Sequence, residues 1–220
     1  MKKILVVLLS LCMVFAMMPV AALAAEENTD KALIGVGIEF NESIAPVAED
    51  WTLEGSKSTI GASIYLDNAN ANSYINATYN DTFNLTNGFT VTYKAGARYY
   101  RNYAMGNAYK SVVIGNLSAG LEVADADKTA VVLKIRINNT VVATSDVVFD
   151  STSKSWDESV TSADNVGNYI GQDMVLTLDY DVATKTVTYS TPDASVSYVD
   201  EDNTIDVSNA AVVLRSHASW

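Results

Sequence analysis

The densest group of side chains able to bind a ligand lies in the segment KAGARYYRNYAMGNAYK, residues 94–110. It holds four tyrosines, two arginines and two lysines in a chain whose net charge is −12. Sugar rings present apolar C–H faces rimmed by hydroxyls, and aromatic rings beside Arg and Asn donors bind such surfaces, Arg also engaging acidic sugars. The segment therefore predicts a ligand-binding surface formed by Arg98, Tyr99, Tyr100, Arg101, Asn102 and Tyr103.

A structural role for the same segment is the competing interpretation. The tyrosines do not alternate as they would on a regular strand, and buried aromatic rings are more common than binding sites. In that case the rings close one end of the domain, while Lys94, Lys110 and the two arginines neutralise nearby acids. Trp156, in the polar stretch SKSWDES, is a further candidate for the binding surface, whereas Trp51 opens an apolar segment and is predicted to be core.

Acidic residues at alternate positions of one strand would indicate a different chemistry. A retaining glycosidase needs two carboxylates on one side, about 5 Å apart, so that one attacks while the other donates a proton. The nearest local match is EVADAD, Glu122 to Asp127, but its first two acids are three positions apart and would face opposite sides of a strand. The sequence therefore predicts no catalytic residue, although carboxylates from distant strands could still meet in space.

Other catalytic and metal-dependent classes find little support. His217 is the single histidine, no G-x-S-x-G motif accompanies it, and Cys12 is the single cysteine, so neither a serine-type triad nor a zinc site is indicated. Calcium stays open, because Asp125–Asp127 and Ser162–Asn165 offer oxygen ligands in predicted loops. Their simpler interpretation is a pair of solvated acidic turns.

The amino terminus has the pattern of a secretory signal peptide. Lys2 and Lys3 precede an apolar stretch, and Ala22-Leu23-Ala24 is a small-x-small cleavage site. We expect residues 1–24 to be removed, residues 25–31 to be a flexible lead-in and residues 32–220 to form one domain. Removing residues 1–24 takes away two lysines and no acid, which leaves 12 basic against 26 acidic side chains, a net charge of −14.

This leader and this charge limit the partners. An acidic surface repels nucleic acid and anionic membranes, and no second apolar segment predicts membrane insertion after cleavage. The mature chain would lack cysteine and must fold without disulfides. We expect a secreted or cell-surface protein of bacterial type.

Period-two alternation with turn signals predicts an all-β domain. Asn138-Asn139, between LKIRI and TVVAT, is a candidate two-residue turn because Asn tolerates positive φ. A short helical turn is predicted around 155–164. The predicted strands are Leu33–Phe40, Thr59–Leu66, Ser73–Tyr79, Gly88–Ala95, Lys110–Asn116, Ala130–Ile137, Thr140–Phe149, Met174–Asp179, Thr186–Ser190, Ser195–Val199 and Ala211–His217.

Three segments carry a resemblance to a known superfamily. NLTNGFTVTYKA (84–95) resembles an early strand of concanavalin-A-like lectin and glucanase domains, and SVVIGNLSAGLEV (111–123) is similar to the core segment that follows it. MVLTLDYDVATKTVTYS (174–190) resembles the late hairpin of that superfamily. The resemblance implies an antiparallel two-sheet jelly-roll sandwich with one flat and one concave sheet.

The function implied by this resemblance is recognition of a polysaccharide or glycoconjugate, or adhesion to another surface protein. A glycoside hydrolase or lyase of the same fold is the first alternative. A purely structural module of a larger cell-wall protein is the second. Fold alone does not choose among them.

Overall fold

The computed structural model describes residues 38–39, 42–43, 46–61, 63–66, 73–96, 110–124, 130–150 and 166–218. These residues form short extended strands, one 3₁₀ turn (Ala48–Asp50) and one six-residue α-helix, α1 (Val166–Gly171). None of these helical segments is long and apolar enough to cross a bilayer. The strands are β1 (Ile38–Glu39), β2 (Glu42–Ser43), β3 (Trp51–Leu53), β4 (Thr59–Ile60), β5 (Ile64–Tyr65), β6 (Ser73–Phe83), β7 (Phe89–Ala95), β8 (Lys110–Ile114), β9 (Leu117–Val123), β10 (Ala130–Ile137), β11 (Thr140–Thr144), β12 (Phe149–Asp150), β13 (Met174–Asp181), β14 (Thr186–Ser190), β15 (Ser195–Val199) and β16 (Ala210–Ala218).

Two antiparallel sheets make up the body of the domain. The larger has eight strands in the order β11-β10-β9-β8-β16-β6-β3, with β12 also paired to β10. The smaller has four strands in the order β15-β14-β13-β7. Two short ribbons, β1–β2 and β4–β5, complete the described pairings. The predicted fold class, an all-β antiparallel two-sheet sandwich, is confirmed.

The core lies between the two sheets because each strand buries every second side chain. On β10 the buried members are Val131, Leu133, Ile135 and Ile137, and on β13 they are Leu176 and Leu178. Leu117, Ala119, Leu121 and Val123 continue this layer on β9, and Val187 and Tyr189 do so on β14. The residues between them face away from the core, so each sheet also has an outer, mostly polar face.

Turn chemistry fixes the register of the hairpins. Asn138 and Asn139 have φ of 51° and 64° and connect Ile137 to its partner Thr140, which confirms the predicted two-residue turn. In the β13–β14 hairpin, the Asp181 carboxylate accepts a hydrogen bond of 2.8 Å from the Ala183 N–H. Both turns hold their strands in the pairing that places the apolar side chains on the core side.

Two predicted strands are divided in the structure, and one is shorter than predicted. Thr59–Leu66 is a small hairpin of β4 and β5, and Thr140–Phe149 is divided into β11 and β12. The prediction that these two segments were single strands is wrong, because alternation alone does not show where a turn interrupts it. The strand predicted at Lys110–Asn116 is the single strand β8, which ends at Ile114 because Gly115 and Asn116 turn the chain into β9. The helical turn predicted at 155–164 lies outside the described residues.

The Gly115 turn provides a test of how strictly the β8–β9 hairpin depends on glycine. Gly115 has φ of +60°, and a Cβ atom there would collide with the backbone oxygen of Asp206. We expect Gly115→Ala to lower the free energy of unfolding by about 2 kcal/mol or more, from left-handed strain and the forced backbone shift. Urea denaturation measures this. Gly61→Ala is the matched control, because no atom lies within 4 Å of a Cβ at that position; equal effects of the two substitutions would contradict the prediction.

Candidate functional site

The outer face of the eight-stranded sheet carries charged and polar side chains in regular rows across neighbouring strands. The residues of β9 and β10 that face away from the core stand next to those of β8, β16 and β6, because the strands are registered row by row. One row contains Lys134, Gly120, Ser111, Arg215 and Asn76 in successive strands. We call this surface the polar face; it consists of Lys134, Arg136, Ser118, Gly120, Glu122, Ser111, Val113, Val213, Arg215, Asn76, Thr78 and Tyr74.

Small residues lie at the centre of the polar face, and long side chains lie on both sides of them. Ser118 and Gly120 of β9 and Ser111 of β8 are adjacent in the register. Lys134 and Arg136 lie on one side of this centre, and Arg215 lies on the other. Ser111 is only 2% exposed and Gly120 is buried, whereas Ser118 is half-buried, so Ser118 is the part of this strip that a ligand can contact.

Glu122 is the buried acid of the polar face. Its side chain is only 4% exposed, and both carboxylate oxygens accept hydrogen bonds from the guanidinium of Arg136, the Nη2–Oε2 distance being 2.8 Å. The Lys134 ammonium lies 3.2 Å from Oε2. A carboxylate removed from water in this way is stable only because two cations compensate the lost hydration. Its oxygens serve to hold Arg136 and Lys134 in place.

Arg215 lies on the other side of the centre and is held by a chain of hydrogen bonds. Its Nε donates to Oδ1 of Asn76 at 2.8 Å, and the Asn76 amide nitrogen donates to Oε2 of Glu54 at 2.8 Å. Since a carboxylate only accepts, Glu54 fixes which end of the Asn76 amide faces Arg215. The guanidinium carbon lies 5.4 Å from the centre of the Tyr74 ring, and Tyr74 is 46% exposed.

The two acids of this region lie too far apart to act as a glycosidase pair. Glu122 is on β9, and Glu54 follows β3, four strands away in the sheet. At ~4.8 Å per strand the separation is ~19 Å, whereas the carboxylates of inverting glycosidases lie ~6.5–9.5 Å apart. In the described part of the chain, no group of three His, Cys, Asp or Glu residues could hold a metal ion either.

The predicted binding residues are not brought into this site by any described contact. Arg98, Tyr99, Tyr100, Arg101, Asn102, Tyr103 and Trp156 lie outside the described residues, as do the predicted calcium ligands Asp125–Asp127 and Ser162–Asn165. Trp51, predicted to be core, is 6% exposed on β3 and contacts Tyr79 edge-on, so that prediction is confirmed.

We call residues 94–110 the Tyr/Arg segment. Its two end residues, Lys94 and Lys110, are described and have structural contacts. The Lys94 ammonium lies 2.8 Å from the carboxylate of Asp173. Lys110 points between the sheets and donates to the backbone oxygens of Ala95 at 3.0 Å and Gln172 at 2.5 Å. For these two cations the structural interpretation of the segment is therefore the better one.

Lys110 joins the two sheets at a buried polar end of the core. It belongs to β8 of the larger sheet, whereas its acceptors belong to β7 and to the residues before β13 of the smaller sheet. The backbone oxygen of Lys110 accepts a hydrogen bond from the Tyr189 hydroxyl, which is also 2.8 Å from the Tyr93 hydroxyl. Burial lowers the pKa of Lys110 to about 8, although the charge of Asp173 acts in the opposite direction. The same burial raises the pKa of both tyrosines.

Sequence reasoning missed the residues of the polar face, and only part of the signal was available. LKIRI puts Lys134 and Arg136 on the same side of one strand, and LSAGLEV does the same for Ser118, Gly120 and Glu122. These patterns indicate two polar stripes. They do not show that the stripes are neighbours, and they do not show that Arg215 and Asn76 continue the row, because Asn76 and Arg215 are 139 positions apart in the sequence.

Comparison with solved structures finds lectins and β-glucanases among the similar chains. Lectin I-B4 from Griffonia simplicifolia, in its metal-free form, matches with a TM-score of 0.48 and 14% identity over 79% of this chain and 88% of the lectin. The potassium-bound Emp46p carbohydrate recognition domain matches with a TM-score of 0.47 and 10% identity over 76% and 81% of the two chains. The Bacillus licheniformis β-glucanase matches with a TM-score of 0.37 and 8% identity over 78% and 71%.

These likenesses concern the fold alone, and they include the lectins and glucanases of the resemblance seen in the sequence. No protein-family model and no curated protein matches the chain.

The buried and exposed ion pairs can be compared directly. We expect Glu122→Gln to lower the free energy of unfolding by about 1.5–3 kcal/mol, since charge-assisted hydrogen bonds to a buried carboxylate are lost. Asp173→Asn removes an exposed partner, whose side chain is 65% exposed, and should cost under about 1 kcal/mol. Chemical denaturation of both variants checks the difference, and a smaller loss for Glu122→Gln than for Asp173→Asn would contradict it.

Lys110 should make stability depend on pH in the alkaline range. Its pKa is about 8 in the folded protein against 10.5 for an ordinary lysine. Between these values the folded chain has released the proton and the unfolded chain retains it, so the contribution of Lys110 to stability rises as pH increases from about 8 to 10.5. The measurement is the free energy of unfolding of wild type minus that of Lys110→Met across this range. The subtraction cancels the tyrosines, and a flat difference would refute the assignment.

Proposed function

We propose that the protein is a secreted or cell-surface, non-catalytic carbohydrate-binding domain whose ligand lies on the polar face of the eight-stranded sheet. The observation that carries the proposal is the exposed Tyr74 ring with the Arg215 guanidinium over it and Asn76 beside it, next to the small residues Ser111 and Gly120. An aromatic ring provides a surface for the apolar side of a sugar, and the neighbouring donors pair with its hydroxyls.

The state of Glu122 supports binding over hydrolysis. Both of its oxygens are engaged by Arg136, and Lys134 adds a second cation. A general acid must present a carboxyl oxygen to the leaving group, whereas both oxygens of Glu122 already accept hydrogen bonds from Arg136. Glu54, the other acid of this region, is hydrogen-bonded to Asn76 and lies ~19 Å away by strand spacing.

The Tyr/Arg segment and Trp156 belong to the proposal as a second part of the binding surface. Their support is composition, because four aromatic rings and two arginines are concentrated in residues 94–110. Their contribution can be tested separately from that of the polar face.

A binding screen with blocking variants tests the site. The purified protein is presented with an array of polysaccharides and glycans, with calcium and with chelator, and released reducing sugar is followed in the same wells. We expect binding without sugar release. Ser118→Phe should weaken binding at least tenfold, because Ser118 lies between Arg136 and Val113 at the centre of the polar face and a phenyl ring would occupy that space.

The control substitution is Ser197→Phe, on the outer face of the four-stranded sheet, where Ser197 pairs with Thr188. We expect it to leave affinity unchanged and both variants to unfold at temperatures close to that of wild type. The double variant Tyr100→Ala, Tyr103→Ala reports on the second part of the surface. Binding that survives Ser118→Phe but fails in the double variant would transfer the site to that segment, and release of reducing sugar would favour the hydrolase.

A further inference from the structure

We infer that the polar face recognises an acidic sugar, and that Arg215 binds its carboxylate group. The inference rests on the proposed function and names the chemical class of the ligand. It follows from the contacts that hold Arg215, from the contacts that it lacks, and from the local charge of the face.

Among the described residues, Arg215 has a hydrogen-bond partner on only one edge of its guanidinium. The guanidinium offers five N–H donors, and Asn76 takes the one on Nε. Within the residues that the structure describes, no carboxylate lies within 4 Å of Arg215 and no acceptor contacts its two terminal amino groups. The pair of parallel N–H bonds that these two groups can donate is the arrangement that binds a carboxylate through both oxygens.

Arg136 shows what the same side chain does when the protein supplies the acid. Both of its terminal amino groups donate to Glu122, one to each carboxylate oxygen. Arg136 and Arg215 lie on the same face of one sheet, three strands apart. Arg136 has a carboxylate partner within the chain. Arg215 has the Asn76 amide on its Nε and no carboxylate among the described residues, so a ligand must supply the anion if its two terminal amino groups are to bind one.

The guanidinium of Arg215 is ordered before any ligand binds. Asn76 is fixed by Glu54 through its amide and through its backbone N–H, at 2.8 and 3.3 Å. The Tyr74 ring lies 5.4 Å below the guanidinium carbon, within the range of a cation–π contact. A side chain held in this way loses less rotational freedom on binding, so more of the interaction energy appears as affinity.

The local charge of the polar face also differs from that of the chain. Lys134, Arg136 and Arg215 face Glu122 and Glu54, which leaves one positive charge, whereas the whole chain carries −12. At physiological salt, charges beyond ~8 Å are largely screened. Lys134, Arg136 and Glu122 lie two to three strands from Arg215, ~10–14 Å at ~4.8 Å per strand, so a uronic acid bound at Arg215 experiences mainly Arg215 and Glu54 and little of the acidic remainder of the surface.

The test compares acidic polysaccharides with neutral versions of themselves. Alginate, polygalacturonate and hyaluronan are each measured beside a sample whose carboxyl groups have been methyl-esterified, together with neutral glucans and mannans. We expect at least one acidic polymer to bind. Its ester should bind at least about tenfold more weakly, because esterification removes a charge-assisted pair of hydrogen bonds. Arg215→Gln should lower the affinity for the acidic polymer by the same factor. Arg215→Lys keeps the positive charge but not the pair of parallel N–H donors, so its affinity should lie between those of wild type and Arg215→Gln.

Lys94→Gln is the matched control, because it removes one positive charge from the outer face of the other sheet. If Arg215→Gln lowers the unfolding temperature, Arg215→Lys and Tyr74→Leu carry the test, since Tyr74 is half exposed and its ring supports the guanidinium. Arg215→Lys should weaken binding to the acid more than binding to its ester, whereas Tyr74→Leu, which also removes the ring that contacts the sugar, should weaken both; an equal loss for acid and ester in Arg215→Lys would contradict the inference.

The failures of the two proposals give different results. Equal binding of acid and ester, or binding unaffected by Arg215→Gln, overturns the acidic ligand and leaves carbohydrate binding intact. Binding of the neutral polymers alone also overturns the acidic ligand and leaves carbohydrate binding intact. Failure of every polysaccharide to bind overturns the proposed function and the inference with it.

Discussion

The register of the eight-stranded sheet is the constraint on which the rest of the structure depends. Strands β10, β9, β8, β16 and β6 are paired in register along the row that crosses the sheet from Leu133 to Ile75. Because of this pairing, every second residue of each strand along this part of the sheet enters the core. A slip of one residue in β9 would bring Glu122 into the apolar layer and move Leu121 to the outer face. The core and the polar face are therefore two consequences of one pairing, and neither can change without the other.

Charged groups on the partly buried polar face are stabilised in two different ways. Glu122, at 3% exposure, is compensated by Arg136 and Lys134 within the chain. Arg215 is oriented by neutral and aromatic neighbours and has no carboxylate among the described residues. An ion pair of the first kind adds little net stability but fixes the positions of its members. The second kind leaves a donor edge for a ligand.

The end of the sandwich near Lys110 has a different role. There the ammonium group binds backbone oxygens from the smaller sheet, and the Tyr93 and Tyr189 hydroxyls bind each other and the backbone of β8. These contacts satisfy the polar groups that the ends of three strands would otherwise bury unpaired. Lys110 therefore has a structural role, and Lys94 pairs with Asp173, while the segment between these two lysines was predicted from composition to bind a ligand.

The sequence by itself determined the fold class, most strand positions and the chemistry of the Asn138-Asn139 turn, because these depend on neighbouring residues. Alternation in Ala130–Ile137, Thr186–Ser190 and Ser195–Val199 predicted those strands to the residue, and Asn138-Asn139 predicted the positive φ angles. Alternation did not predict β9 (Leu117–Val123), because the Ser118-Ala119-Gly120 centre of this strand has low β-propensity. Only the tertiary structure decided the polar face: Tyr74 and Asn76 meet Arg215 across about 140 residues, and Glu122 meets Arg136 only through the pairing of β9 with β10. Local sequence determines which side of a strand a residue occupies, whereas the neighbour it meets there depends on strand order and register.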